Sequence, residues 1–282
     1  MHPILLDFGT HDLPLLGLRH LFLPTYGALF ALGVALAWWW FLRRARALGV
    51  APETAFNLTF YSVLAGIVGA KLSLVVVDWR YYAENPGAIL SLFRVAGVLM
   101  GGVAAGALAF VLYARRQGLP VLRLADAIVP PVALAQGIGR LGCFAAGCCW
   151  GVPVAPGSSC SVTFTDPAAA AQTGVPLHQP LFPAQLVQAA ADFALAAVLT
   201  LVVRRGSRPA GLALWLYVLL YSVSRGTIEF WRGDEHRGLW LGGRSGGGLS
   251  LRRHRVGQRA RRRSRGCRLD DCTGLGSRNP AL

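Results

Sequence analysis

The sequence predicts an all-α fold, a polytopic membrane helix bundle, and three observations carry that expectation. First, 54% of the 282 residues are hydrophobic and only 15% are charged, whereas soluble domains carry about 25% charged residues. Second, six apolar runs reach the roughly 20 residues that a helix needs to cross a bilayer. Third, the arginines between these runs are distributed so as to set one orientation.

The six runs are 22–42, 57–77, 88–113, 125–149, 184–203 and 210–230. Ahead of the first, MHPILLDFGTHDLPLLGLRHLF has no basic stretch before an apolar one, so it does not read as a cleavable signal peptide. The first run then serves as the insertion signal. In the third run Gly102 and Gly106 form a small-xxx-small pair that lets two helix backbones approach closely.

Arg43, Arg44 and Arg46 follow the first run, and Arg115 and Arg116 follow the third. Arg123 precedes the fourth run, and Arg204, Arg205 and Arg208 follow the fifth. The positive-inside rule places these loops in the cytoplasm. The N-terminus, the 78–87 loop, the 150–182 segment and the stretch after the sixth run then lie outside, in the periplasm.

The net charge of +15 is unevenly placed, since residues 244–282 hold 11 Arg and 2 Asp. The body before them is only mildly basic. This suits cytoplasmic loops resting on anionic membrane lipids, and no nucleic-acid partner is expected. The tail, with RRHRVGQRARRRSR and no apolar run, contradicts the periplasmic position that the topology gives it. It reads as the frame-shifted end of a GC-rich gene whose neighbouring frame encodes a seventh helix. The alternative is a genuine basic tail that binds lipid or nucleic acid. The expected organisation is a membrane domain over 1–243 and a disordered or frame-shifted tail over 244–282.

The stretch GIGRLGCFAAGCCWG, from Gly137 to Gly151, closes the fourth run. A charge at the centre of a membrane helix costs about 2.5–3.5 kcal/mol on insertion scales. Arg140 therefore needs a partner or a polar cavity. A guanidinium grips phosphate in a bidentate fork, and a phospholipid headgroup supplies phosphate at that depth. Gly137, Gly139 and Gly142 also spell G-x-G-x-x-G. The dinucleotide fingerprint needs a strand ahead of that spacing, and here an apolar helix with Pro130 and Pro131 precedes it, so no nucleotide site is expected.

The sixth run ends in LYSVSRGTIEFWRGDEHRG. Tyr221, Arg225 and Glu229 recur every four residues and share one helix face. An Arg–Glu pair that only braces the bundle is the plain alternative. Two arginines, Arg140 and Arg225, at one depth in the outer half suit one anionic headgroup. Lys71 is a third cation inside a run, and it reads as structural or snorkelling.

Cys143, Cys148, Cys149 and Cys160 cluster at the outer end of the fourth run. Three readings stay open: a disulfide from Cys160 to Cys148 or Cys149, small residues without a bridge, or a redox or acyl-accepting role. Adjacent cysteines with one histidine make a poor zinc spacing, so no metal site is expected. No cofactor is expected either. Cys267 and Cys272 fall in the tail.

The motifs together resemble prolipoprotein diacylglyceryl transferases. R-L-G-x-F-x-x-G-x-x-W-G from Arg140 to Gly151 is similar to the family signature, and S-R-x-x-I-E-F-x-R-G-D-E from Ser224 to Glu235 is similar to its last block. PTYGALFALG around Tyr26, GAK from Gly69 to Lys71, the paired Gly101 and Gly102, and FPAQL from Phe182 to Leu186 match further elements in order. The resemblance covers roughly residues 1–243.

The resemblance implies a multi-pass enzyme of the bacterial inner membrane, acting at the periplasmic face in lipoprotein biosynthesis. Its partners would be phosphatidylglycerol and prolipoprotein signal peptides with a lipobox cysteine. Diacylglyceryl would pass to the cysteine thiol and glycerol phosphate would leave. Arg140, Arg225 and Glu229 would be the catalytic group. Tyr26, Gly101, Gly102, Cys143, Gly151 and Tyr221 would bind substrate.

The chain departs from the family pattern at several positions. Met100 stands where the family has a His proposed as a base. Cys143 replaces an Asn and Cys148 a Glu, while Phe182, Val187 and Gln188 replace the usual His, Tyr and Glu. His178 is a candidate replacement base, with a solvated loop residue as the plainer reading. These departures keep a second hypothesis open: a divergent homologue that binds phospholipid without transfer, with cysteine redox chemistry. A small-solute transporter is a third class, and the absence of an internal repeat argues against it.

Overall fold

A computed structural model describes residues 3–7, 9, 22–85, 87–88, 92, 97–205 and 209–233. The expected tail, 244–282, lies outside the described residues. The described chain is helical apart from two short two-stranded ladders. Strands β1 (Ile4–Asp7) and β2 (Phe22–Pro24) pair antiparallel. They lead into α1 (Thr25–Ala47), α2 (Pro52–Val77), α3 (Trp79–Glu84), α4 (Leu99–Arg116) and α5 (Val121–Ala146). Then come β3 (Val162–Thr163), α6 (Pro167–Thr173), β4 (Pro180–Leu181), α7 (Ala184–Arg204) and α8 (Leu212–Glu229).

Among the described residues five helices, α1, α2, α4, α5 and α7, are long and apolar enough to cross a membrane. The sixth predicted run forms α8, whose 18 residues include Arg225 and Glu229 in the last two turns. Those polar turns lower its apolar character. The third run was expected from residue 88, but its helix starts at Leu99. Gly97 and Val98 stay out of the helix because they dock on α2. The Val98 N–H donates to the Ala70 carbonyl at 3.0 Å. A Cβ on Gly97 would stand 2.8 Å from that same carbonyl.

Helix α5 is the most buried of the five spans and packs against α1, α7 and α8. It continues through the fully buried Pro130 and Pro131, as membrane helices allow when neighbours compensate for the lost N–H groups. Helices α2 and α4 form a second tight pair. Glycine makes that approach possible: a Cβ on Gly102 would lie 2.9 Å from the Gly66 carbonyl oxygen, and one on Gly106 3.0 Å from that of Ser62. The small-xxx-small pair thus packs two helices, as its spacing predicted.

The Arg-rich helix ends meet at one end of the bundle. There Phe41 and Ala45 of α1, Leu58 of α2, Phe110 and Ala114 of α4, and Leu124 of α5 form a core. Near this end Asp126 is buried and caps α8. Its carboxylate accepts from the Gly211 N–H at 2.8 Å and the Leu214 N–H at 2.9 Å. Those are orphan donors of a helix N-terminus, which an acidic side chain satisfies best. The opposite ends of α1, α5, α7 and α8 carry the candidate site.

Candidate functional site

An elongated cavity of about 430 Å³ runs between α1, α2, α5 and α8, with Leu99 at the start of α4 also on its wall. Its long walls are apolar, with Phe30, Val34, Phe41, Val63, Ile128 and Val132 among them. From Tyr26 to Phe41 the α1 wall spans 15 residues, a rise of about 22 Å. At one end stand the polar groups Tyr26, Arg140, Cys143 and Tyr221. The shape is that of an amphiphile: one charged end and one long apolar slot.

The charged end is built by α5, α7 and α8. Arg140 lies within electrostatic reach of Cys143, Cys149, Tyr221 and Asp192. Asp192, on α7, is in turn within reach of both Arg140 and Arg225. Arg225 pairs with Glu229 one turn along α8. Glu229 also faces Arg232 at 4.0 Å, whose side chain is 5% exposed. Three guanidiniums and two carboxylates therefore gather at this end of the bundle.

Helix α7 contributes a buried polar ladder at Gln185, Gln188 and Asp192, all 1–2% exposed. Gln188 Nε2 donates to Asp192 Oδ1 at 3.0 Å, and Gln185 Nε2 donates to the Cys148 carbonyl at 2.9 Å. Gln185 Oε1, Gln188 Oε1 and Asp192 Oδ2 accept no hydrogen bond from the described residues. Buried acceptors without a donor are costly, and none of the three residues is among those that line the cavity.

Gly151 joins three segments. It bridges to Arg232, and Val152 exchanges hydrogen bonds with Trp231 and Phe182 at 2.9 Å. A Cβ on Gly151 would collide with the Phe182 carbonyl oxygen and stand 2.9 Å from that of Trp231. Only glycine admits this close approach, which ties the turn after α5 to the start of α7 and the end of α8.

Tyr26, Arg140, Cys143 and Tyr221 of the predicted site line the cavity, and Arg225 and Glu229 adjoin it through Asp192. Gly101 and Gly102 are placed otherwise. They face Ser73, Gly66 and Ala70 of α2 and pack the α2–α4 pair. Lys71 holds the Leu92 carbonyl at 2.7 Å, in keeping with a structural role. Met100 is 74% exposed on α4. His178 is an exposed residue with a left-handed backbone, φ 57°, in the loop before β4, away from the cavity lining. The four described cysteines are free, with no disulfide among them. Within the nucleotide-like spacing, Gly137 faces the Phe193 ring and Gly142 faces Tyr26, both inside α5.

Sequence reasoning missed Asp192, Arg232 and the two glutamines. Asp192 carried a readable signal, a lone charge inside the apolar run AAADFALAA, where a membrane helix seldom holds one without a task. Arg232 was legible only as part of a motif.

The apolar spans and the helix bundle they form define a polytopic membrane protein. Comparison with known proteins narrows the class. A sequence model described as "Prolipoprotein diacylglyceryl transferase" matches residues 15–258. The chain is 34% identical over 217 residues to phosphatidylglycerol–prolipoprotein diacylglyceryl transferase 2 of Clostridium perfringens, covering 77% of this chain and 82% of that protein. It is 36% identical over 209 residues to the corresponding transferase of Clostridium tetani, covering 74% and 80%. It is 36% identical over 220 residues to that of Dehalococcoides mccartyi strain BAV1, covering 77% and 80%. The chain belongs to the prolipoprotein diacylglyceryl transferase family.

Proposed function

We propose that this chain transfers the diacylglyceryl group of phosphatidylglycerol to the lipobox cysteine of prolipoproteins, at the periplasmic face of the inner membrane. The observation that carries the reading is the position of Arg140 at the polar end of the apolar cavity, with Arg225 linked to it through Asp192. A phosphodiester brings its negative charge against the Arg140 guanidinium at the cavity's polar end. The acyl chains fit the slot between α1, α2 and α5.

The reaction then follows from charge movement. The cysteine thiolate attacks the glyceryl carbon that bears the phosphate. A C–S bond forms, the C–O bond breaks, and the phosphate oxygen keeps the electron pair. Glycerol phosphate leaves with one more negative charge than the bound diester carried, while the sulfur becomes neutral. Guanidiniums fixed around the phosphate bind the departing dianion better than the starting diester. That difference is what accelerates the step. The same positive field favours the incoming thiolate over the thiol, whose ordinary pKa is about 8.5.

The positive-inside rule supports the orientation, because the last turns of α1, α4 and α7 carry Arg44, Arg46, Arg115, Arg116 and Arg204, whereas the site lies at the starts of α1 and α7. The reading places the whole machinery within residues 1–243. A second reading, a phospholipid-binding homologue without transfer, is favoured by one observation: Met100, at the position of the family His, cannot take a proton. Complementation separates the two. A strain depleted of its own transferase is given this chain, and lipid attachment to a reporter prolipoprotein is followed by gel mobility. Rescue of the lipidated band supports transfer. Failure, with the chain shown to be inserted and stable, supports the second reading.

A further inference from the structure

At the polar end of the lipid cavity, which Cys143 lines, the fold assembles a second group of ligand atoms to which the transfer reaction gives no bond-making role. The Sγ atoms of Cys143, Cys148 and Cys149 all lie within 4.8 Å of one another. Cys143 sits in the last turn of α5, and the other two follow in the turn that ends the helix. That turn is a Schellman motif: the Gly147 N–H donates to the Phe144 carbonyl at 3.2 Å and the Cys148 N–H to the Cys143 carbonyl at 3.0 Å. It brings residues 143 and 148 to the same spot.

The turn is held from outside as well. Thr173 Oγ1 donates to the Gly147 carbonyl at 2.9 Å, and Gln185 Nε2 donates to that of Cys148 at 2.9 Å. Cys149 itself has φ 60°, a left-handed conformation that a side chain other than Gly, Asn or Asp seldom adopts. A strained residue held by its surroundings marks a place where side-chain direction matters. Here the direction brings a third thiol to the other two.

We propose that Cys143, Cys148 and Cys149 form a binding site for a thiophilic d¹⁰ cation, Cu⁺ or Zn²⁺. Thiolate donors select such ions over harder ones. A metal–sulfur bond of about 2.3 Å requires sulfurs about 3.8–4.0 Å apart around one ion, so the triplet needs to close by less than about 1 Å from its widest spacing. Three protons leave the thiols as the ion enters, and three metal–sulfur bonds form with no change of oxidation state. The resulting complex is anionic, with net charge −1 for Zn²⁺ or −2 for Cu⁺. Arg140 and Arg232, both within electrostatic reach of Cys149, offset part of that charge. The spacing of these cysteines along the sequence gave no hint of a metal site. It is the helix-ending turn that joins them. Cys143 and Arg140 also line the lipid cavity, but the test reads metal and thiols without lipid, so its failure and that of the transfer reading are distinguishable.

The test uses the full chain in detergent, reduced with a phosphine. Zn²⁺ is titrated in one arm and Cu⁺, under anaerobic conditions, in the other. Metal content after desalting and the number of thiols open to an alkylating reagent are measured. One equivalent of at least one ion is expected, with reactive thiols falling from the six cysteines of the chain to three. Cys143→Ser, Cys148→Ser and Cys149→Ser are each expected to weaken binding at least tenfold. A variant with Cys160, Cys267 and Cys272 all changed to Ser is expected to bind like the parent. The arm that saturates identifies the ion. The proposal is overturned if the reduced parent chain takes up neither ion at micromolar concentration. It is also overturned if Cys148→Ser binds as tightly as the parent. Thiol protection in the parent is read without any variant, so misfolding of a serine variant does not blunt the test.

Discussion

The carboxylate of Asp192 on α7 and the guanidinium of Arg140 on α5 lie within electrostatic reach of each other, both inside membrane-spanning helices. Neither charge would be tolerable alone at that depth. Arg225 of α8 lies within electrostatic reach of the same carboxylate, so charges from three helices face one another.

Asp192→Ala is expected to lower stability by about 1–3 kcal/mol, because the Gln188 amide loses its acceptor and two guanidiniums lose a counter-charge. Asp192→Asn keeps the shape and the acceptor, and it is expected to recover most of that loss. It also raises the local charge by one, so glycerol phosphate should inhibit at several-fold lower concentration. Thermal melting in detergent and a product-inhibition series check the two halves.

Gly151→Ala is expected to lose both stability and activity. The added methyl meets the Phe182 and Trp231 carbonyls, and backbone shifts of that kind cost about 1–3 kcal/mol. Parting this junction displaces Arg232 and the start of α7 together. A melting curve and a transfer assay on the same preparation measure both losses.

Gly102→Val separates packing from substrate binding. A side chain there forces α4 away from Gly66 and Ala70. The expected outcome is a lower melting temperature with an unchanged KM for lipid in the fraction that remains folded. A KM raised tenfold at unchanged stability would return Gly102 to the substrate site.

Met100→His tests the missing base. Met100 is 74% exposed and is not among the cavity-lining residues. Restoring a histidine is therefore expected to change transfer by less than about threefold, within the small effect typical of surface changes. A tenfold gain would show that this helix face meets the substrate.

Much of the architecture was legible from the apolar runs, because bilayer thickness alone dictates their length. The start of α4 was not, since Gly97 and Val98 leave the helix for a contact with Ala70 that no local pattern announces. Arg140 and Arg225 stood out because charge in an apolar run is costly. Asp192 obeyed the same rule and went unread beside the motif residues of FPAQL. The thiol triplet was illegible for another reason. Its members sit one and five residues apart, a spacing that becomes a site only when the helix ends in a left-handed turn at Gly147 and Cys149. The roles of Gly101 and Gly102 were suggested by motif resemblance, whereas the packing of α4 on α2 accounts for them physically.

The most direct test of the arginine clamp is transfer by the purified full chain in phosphatidylglycerol vesicles. A peptide bearing a lipobox cysteine serves as acceptor, and release of headgroup-labelled glycerol phosphate is the readout. Arg140→Ala and Arg225→Ala are each expected to slow release by at least about 10²-fold, the scale set by removing one donor to a developing anion, with the melting temperature checked alongside. Transfer at the parent rate by both folded variants would contradict the clamp and with it the account of how this site works.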